Sequence, residues 1–408
     1  MATTDVLFAI SDTGGGHRSA ALGISAALDE VGGGKVTSRL EDILRLTDFP
    51  GVSDAPDLYD QLSTRWLRLY DIGFELTNQV RTVDVLSRLV YVHARRNIVD
   101  LLSKLRPKVV VVTHPLVHRL VVAARRSRRI PCRVVTVVTD LVSLHASWTY
   151  SGVDLALVPT VEAYRLMIRR GMSPLRLHRT GFPVHPKFAD YSVSRHETRE
   201  QLGLARDPFT ILMTSGGVGS GRMHELVPAL EKAYPQHQLL VVTGKNQALG
   251  DELRQRVRNP HTQIYGFVNN MEALMAASDV VVTKAGPGTL MEALVMRKPA
   301  LLTEAVGIQE QGNIDFVLNY ELGAFCPTNE RIIEAVAELM DEARYKATVA
   351  RLEGAVPRDG ARQIARITLE QMELAEKGQP PEHLRPLPRS PLRRLRYLAG
   401  RSRWRWMR

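Results

Sequence analysis

His17 is the residue of this chain best suited to moving a proton near neutral pH, and it follows three glycines in the stretch SDTGGGHRSA at residues 11–20. An imidazole there can accept a proton from a hydroxyl nucleophile. The glycines let backbone N–H groups approach an anion, and the helix they open adds its positive end. Capping of the turn is the competing reading of His17. Two more glycine loops open helices further on. TSGGVGSGRM at residues 214–223 offers Gly216, Gly217 and Gly219; KAGPGTLME at residues 284–292 offers Gly286, Gly288 and Thr289. Tight strand-to-helix turns also need glycine, so one loop means little. Three in register, one in the first half and two in the second, point to an anionic ligand. Glu292 lies one helical turn beyond the last loop, where a carboxylate can accept hydrogen bonds from ribose hydroxyls. Without the glycines it would read as a solvated helix residue.

The stretch TDLVSLHASW at residues 139–148 also leaves a buried strand and brings Asp140, His145 and Trp148 to one rim. Asp140 either caps the turn or orients His17 or an acceptor hydroxyl, and both readings stand. Gln309 and Glu310 follow a later strand and can reach a sugar. Arg222, Lys245 and Lys284 are cations near the glycine loops that can neutralise a departing phosphate. No Asp-x-Asp pair is present to hold a divalent ion, so neither metal nor cofactor is expected.

Buried parallel strands must position these groups. DVLFAIS at residues 5–11, KVVVVT at 108–113, VVTVVT at 134–139 and LALVP at 155–159 are continuous apolar runs rich in β-branched residues. Such runs suit strands covered on both faces. Helical sequence separates them, at residues 17–31, about 65–105, 116–128 and 160–170, which implies a doubly wound α/β domain. TGFPVHPKFA at residues 180–189 breaks the pattern and reads as an interdomain linker. A second series of strands follows at residues 209–214, 238–243, 263–265, 280–283 and 300–302, and a last helix at 361–376. The expected division is a first domain over residues 1–185, a second over 186–376 and a tail over 377–408. Tandem α/β domains bind ligands in the cleft outside the carboxyl ends of their strands.

Composition narrows the class. The chain has 408 residues, 44% hydrophobic and 24% charged, and no apolar run long enough to span a bilayer. Neither a secretion signal nor a cysteine metal spacing is read, and the two cysteines suit a reducing compartment. Of the net charge of +11, nine units come from residues 383–408, which hold arginines and no acid. Arginine with Tyr397, Trp404 and Trp406 suits an anionic membrane surface; nucleic acid is not an expected partner.

Together, SDTGGGHRSA, VTHPLVH at residues 112–118, TDLVSLHASW, GFPVHPKF at 181–188 and KAGPGTLMEALVMRKPALL followed by QEQGN resemble the monogalactosyldiacylglycerol synthase and processive diacylglycerol β-glucosyltransferase group of glycosyltransferase family 28. The resemblance runs from about residue 6 to 375. It implies a GT-B fold, two Rossmann-like domains facing across a cleft, and a UDP-sugar donor held mostly by the second domain. It implies a diacylglycerol acceptor, inversion at the anomeric carbon and no catalytic metal. His17 matches the family's proposed general base, and Asp140 stands next to it as a catalytic group. Gly288 and Thr289 would bind the diphosphate, Glu292 the ribose, Phe267 and Val268 the uracil, and Gln309 and Glu310 the sugar. Gly15, Gly16, His145 and Trp148 are expected on the acceptor side. Residues 65–106 match the membrane-facing segment, so a peripheral position on the cytoplasmic side of the cell membrane is expected. The chain departs from the family pattern at Ile308, where glycine is expected before Gln309. The rival readings are a UDP-sugar 2-epimerase and a non-catalytic membrane-associated protein of the same fold.

Overall fold

The computed structural model describes residues 4–13, 15–47, 49, 75–214, 222–305 and 307–378. Gly216, Gly217 and Gly219, the tail beyond residue 378 and the start of the 65–106 segment lie outside the described residues. The four valine-rich runs of the first half are the strands β1 (Val6–Ile10), β3 (Val109–Val112), β4 (Arg133–Val137) and β5 (Leu155–Val158). Two strands that sequence periodicity misses, β2 (Ser38–Asp42) and β6 (Leu177–Arg179), close the edges of a parallel sheet in the order β2-β1-β3-β4-β5-β6. Alternate residues explain why the inner strands are apolar throughout. Leu7 and Ala9 of β1 enter one core, while Val6, Phe8 and Ile10 enter the core on the opposite face. The first core is covered by α2 (Val80–Leu105), α3 (Val117–Arg128) and α4 (Val161–Arg169). The second is covered by α1 (Gly15–Val31).

The second sheet joins β7 (Thr210–Thr214), β8 (Gln238–Val242), β9 (Thr262–Tyr265), β10 (Val280–Thr283), β11 (Ala300–Leu302) and β12 (Gly323–Phe325), all parallel. Its order is β12-β11-β10-β7-β8-β9. Between β6 and β7 lie the short α5 (Pro186–Ala189) and α6 (Arg195–Gln201). Around this sheet lie α7 (Met223–Ala233), α8 (Gln247–Arg256), α9 (Met271–Ala277), α10 (Pro287–Val295), α11 (Gly307–Asn319), α12 (Asn329–Met340) and α13 (Glu342–Ala355). In each sheet the first strand is flanked by strands reached in opposite directions, β2 and β3 around β1, and β8 and β10 around β7. Crevices for ligands open at such reversals. The loops after β1, β3 and β10 therefore converge on the site, and two of them are glycine loops.

The last helix, α14 (Gly360–Glu376), departs from the domain division read from the sequence. It packs along α1, and its Ala361, Ile364 and Ala365 belong to the core of the first sheet. Arg133 of β4 donates to Gln371 at 2.6 Å, and Lys108 pairs with Glu376 at 2.5 Å. The chain thus crosses to the second domain and returns, so two strands of backbone join the domains. The linker is not a solvated hinge. Phe182, Val184 and Phe188 are buried in the second domain's core. Gly181 takes φ +86°, open to glycine without strain. A Cβ on Gly360 would sit 2.3 Å from the Phe182 carbonyl oxygen. Gly360→Ala is therefore expected to lower stability by about 1–3 kcal/mol through overpacking. Urea unfolding checks this, and an unchanged midpoint would show that the crossover can spread apart at no cost.

Candidate active site in the interdomain cleft

His17 is in the first turn of α1, and its ring is fixed from behind. Nδ1 donates to the carbonyl oxygen of Thr113, at the end of β3, at 2.7 Å. The Thr139 hydroxyl, beyond β4, lies 3.1 Å from the same nitrogen. A proton on Nδ1 leaves Nε2 as the acceptor, the tautomer a base requires. Thr113 also donates its hydroxyl to the His17 carbonyl at 3.1 Å, so one residue holds both ring and backbone. Burial lowers the His17 pKa to about 4, against the raising effect of the Thr113 carbonyl, so the imidazole is neutral at physiological pH. His114 packs edge-on at 4.7 Å between ring centroids, and burial, with His17 and His118 nearby, holds it neutral as well.

Asp140 does not orient His17. Its Oδ2 accepts from the Trp148 indole at 2.6 Å and its Oδ1 from Gln309 of the second domain at 3.0 Å. Burial raises its pKa, and the bonds from Gln309 and Trp148 oppose the rise. Trp148 is buried, with its ring 6.3 Å from that of His17. His145 is buried as a cap whose Nδ1 lies 2.7 Å from the Ser147 hydroxyl and whose Nε2 lies 3.2 Å from that of Thr77. Both residues thus brace the wall rather than offer an open face. Thr113, Thr139 and His114 were passed over by sequence reasoning, although each follows a buried strand by the same rule that singles out His17.

The second domain presents α10, capped by the backbone of Gly286 with Pro287 in its first turn and no side-chain cap. Pro287 suits that position because the first helical N–H has no partner within the helix. Across the cleft, a Cβ on Gly288 would lie 4.0 Å from the Gly16 Cα, while Gly15 and Gly16 face open space. The positive ends of α1 and α10 therefore meet, an arrangement that an anion between them stabilises. The hydroxyls of Ser11 and Thr13 beyond β1, Thr214 at the end of β7 and Thr283 at the end of β10 are buried without a hydrogen-bond partner among the described residues. Buried hydroxyls normally find a partner, so four at converging strand ends suit a polar ligand. Glu310 is buried beside Gly286, and Asn313 donates to the Ala285 carbonyl at 2.7 Å, holding the loop. Phe267, 63% exposed, and the half-buried Val268 follow β9, which β7 and β8 separate from β10. Arg222 is turned away, donating to Asn329 at 2.7 Å and to the Pro327 carbonyl.

Glu292 points across the cleft, where its carboxylate accepts from Ser19 of α1. Burial raises its pKa to about 7, with Lys187 opposing and Glu272 adding to the rise. An acid whose pKa is raised on folding binds more protons folded than unfolded between about 4.5 and 7, so its contribution is present below that window and lost as pH rises through it. Glu292→Gln should raise the melting temperature at pH 8 and leave it unchanged at pH 4. An equal shift at both would place the effect elsewhere than the carboxylate's ionisation.

Residues 17–184 match the family model Monogalactosyldiacylglycerol (MGDG) synthase, and residues 210–305 match the Glycosyltransferase family 28 C-terminal domain. A protein named probable monogalactosyldiacylglycerol synthase 2, chloroplastic, from Oryza sativa subsp. indica is 30% identical over 79% of this chain and 71% of its own length. The corresponding Nicotiana tabacum protein is 30% identical over 82% of this chain, which spans only 64% of that relative. Among solved structures, MurG of Acinetobacter baumannii aligns at 15% identity and TM-score 0.58 over 90% of this chain and 100% of its own. A UDP-GlcNAc 2-epimerase from Neisseria meningitidis aligns at 15% identity and TM-score 0.56 over 91% of this chain and 100% of its own. These likenesses establish the GT-B fold and do not separate transferase from epimerase. The sequence relatives and the family models do: the chain belongs to the monogalactosyldiacylglycerol synthase family of glycosyltransferases.

Proposed function

We propose that this protein transfers a hexose from a UDP-sugar to the hydroxyl of diacylglycerol, inverting the anomeric carbon, without a catalytic metal. The observation that carries the reading is the approach of Gly16 to Gly288, which sets two helix N-termini around one anion position beside the neutral imidazole of His17. The second domain binds the donor, with the diphosphate at Gly286, Gly288 and Thr289, the ribose at Glu292 and the uracil at Phe267 and Val268. The sugar meets Gln309 and Glu310. His17 Nε2 takes the acceptor's proton as its oxygen forms the new bond to the anomeric carbon. The bond from that carbon to the phosphate oxygen breaks, and UDP leaves with the electron pair. The names of the plant relatives support galactose; glucose is the competing sugar.

A UDP-sugar 2-epimerase shares the fold but needs no lipid surface. The outer face of α2 supports the lipid reading: Val85, Leu89 and Val92, at helical spacing, are exposed, with Leu86 alongside and Arg81, Arg88, Arg95 and Arg96 on the same helix. Exposed apolar side chains beside arginines suit an anionic membrane surface. Among the described residues no helix is long and apolar enough to cross a membrane. Peripheral attachment to the cytoplasmic face is the matching reading, and the arginine-rich tail is proposed to share it.

The direct test is incubation of the purified protein with labelled UDP-galactose or UDP-glucose and diacylglycerol vesicles. His17→Ala should lower turnover by about 10²–10⁴-fold and leave UDP affinity near normal, because His17 and the donor contacts belong to different domains. A labelled UDP-sugar epimer in place of a glycolipid would decide for the rival.

Sedimentation with phosphatidylglycerol vesicles tests the surface. Val85→Glu with Leu89→Glu, or truncation after Gly378, should each release part of the protein, more so at high salt. Equal binding by the wild type, both variants and their combination would remove both segments from the contact.

A further inference from the structure

Three cations stand near the glycine loops, and the structure separates them. Arg222 is committed to Asn329, Glu225 and the Pro327 carbonyl. Lys245 is exposed beyond β8, where its field falls on Asp12. Lys284 is the first residue past β10 and two residues before the Gly286 cap of α10. Its stem lines the glycine loop: a Cβ on Gly286 would lie 3.5 Å from Lys284 Cε and 3.5 Å from Glu310 Oε1. The ammonium is 3.9 Å from that same oxygen, beyond hydrogen-bonding distance, and its side chain is 25% exposed. Next to it, the Thr283 hydroxyl is buried without a partner among the described residues.

We infer that Lys284 is the catalytic cation of this site, neutralising the leaving diphosphate while Glu310 beside it holds the sugar. The inference rests on the proposed glycosyl transfer and names the group that drives departure of UDP. The pairing sets a cation and a carboxylate side by side at one helix entrance. A diphosphate at the α10 N-terminus meets Lys284, and the sugar hydroxyls meet Glu310, so the bond to be broken lies between the two partners. As that bond breaks, its electron pair passes to the terminal phosphate oxygen of UDP. The ammonium meets the growing charge without giving up its proton. The acceptor's proton has gone to His17 and passes from there to solvent, so atoms and charges balance. A fixed cation in a partly desolvated cleft does more for this developing charge than water does.

The experiment compares Lys284→Met, Lys284→Arg and Lys245→Met with the wild type. UDP and uridine affinities are measured by calorimetry, and turnover is measured with UDP-sugar and diacylglycerol vesicles. Lys284→Met should bind UDP at least about 10-fold more weakly and uridine normally, because uridine lacks the phosphates. Its kcat should fall about 10²–10³-fold, the loss typical of removing one group that stabilises developing charge. Lys284→Arg should recover most of the UDP affinity. Equal losses of UDP and uridine binding would make Lys284 a structural residue, and normal UDP affinity in Lys284→Met would overturn the proposal. So would a loss found in Lys245→Met instead. Should the methionine variant not fold, Lys284→Gln carries the same comparison. The binding measurements need neither sugar nor acceptor. A wild type that binds UDP through Lys284 but makes no glycolipid would therefore sink the proposed transfer and leave the phosphate contact standing, whereas a wild type that does not bind UDP sinks both.

Discussion

The positive ends of α1 and α10 are held against each other, and a Cβ on Gly288 would lie 4.0 Å from the Gly16 Cα. A helix N-terminus carries roughly half a positive charge and unsatisfied N–H groups. Two of them facing one another are a cost in the empty protein and an asset when an anion lies between them, with each terminus contributing about 0.3–1 kcal/mol, and up to about 2 kcal/mol where partly buried. The architecture serves that meeting. Each helix follows a strand flanking its sheet's reversal point, and each loop uses glycine where a side chain would fill the gap. A Cβ at 288 would just touch Gly16 and one at 16 would enter open space, so side chains there would occupy room that an anion between the helix ends needs.

Keeping the two ends in register falls to contacts far from the glycines. Leu141 leaves the first sheet and buries itself in the second domain's core. Gly312 of α11 packs so closely on Ser143 that a Cβ there would lie 2.4 Å from its hydroxyl. Tyr320 donates to Glu162 at 2.8 Å, and Arg362 of α14 bridges Glu30 and Asp190. The exposed ion pairs among these contribute little individually. The packed elements matter more, because burying one leucine-sized side chain is worth about 1.5–3 kcal/mol. The cleft is thus closed by core-like packing around its rim and left polar at its centre.

The inner strands were legible because both faces are covered, which forces an unbroken apolar run, as in the valines of β3. Of the four edge strands only β9 was, and β2, β6 and β12 were not. In β2, Ser38–Asp42 reads SRLED, since an edge strand with one wet face needs no such run. The allegiance of α14 was equally hidden. Its apolar stripe shows that a helix packs on something, but nothing in the local pattern distinguishes one sheet from the other. Within the site, the glycines and His17 stood out because few structural roles demand them. The partners of Asp140 and Arg222 come from residues up to 169 positions away, and no spacing rule reaches that far.

His17 raises a problem of base strength that its surroundings resolve. A base with a pKa of about 4 is a poor acceptor for a hydroxyl proton, and among the described residues no carboxylate bonds its ring, Asp140 being taken by Trp148 and Gln309. A backbone carbonyl fixes the tautomer but supplies no countercharge for the imidazolium. On the proposed reading, the countercharge arrives with the donor. A diphosphate at the α10 N-terminus sits just across the glycine contact from the α1 turn that carries His17, and a nearby anion raises the pKa of an imidazole. The base therefore gains strength as the donor fills the site. Proton transfer accompanies formation of the new bond rather than preceding it, since the hydroxyl becomes acidic enough only as its oxygen gives up electron density. A carboxylate behind His17 would have strengthened the base in the empty enzyme too. A neutral wall makes the base depend on the ligand of the opposite domain.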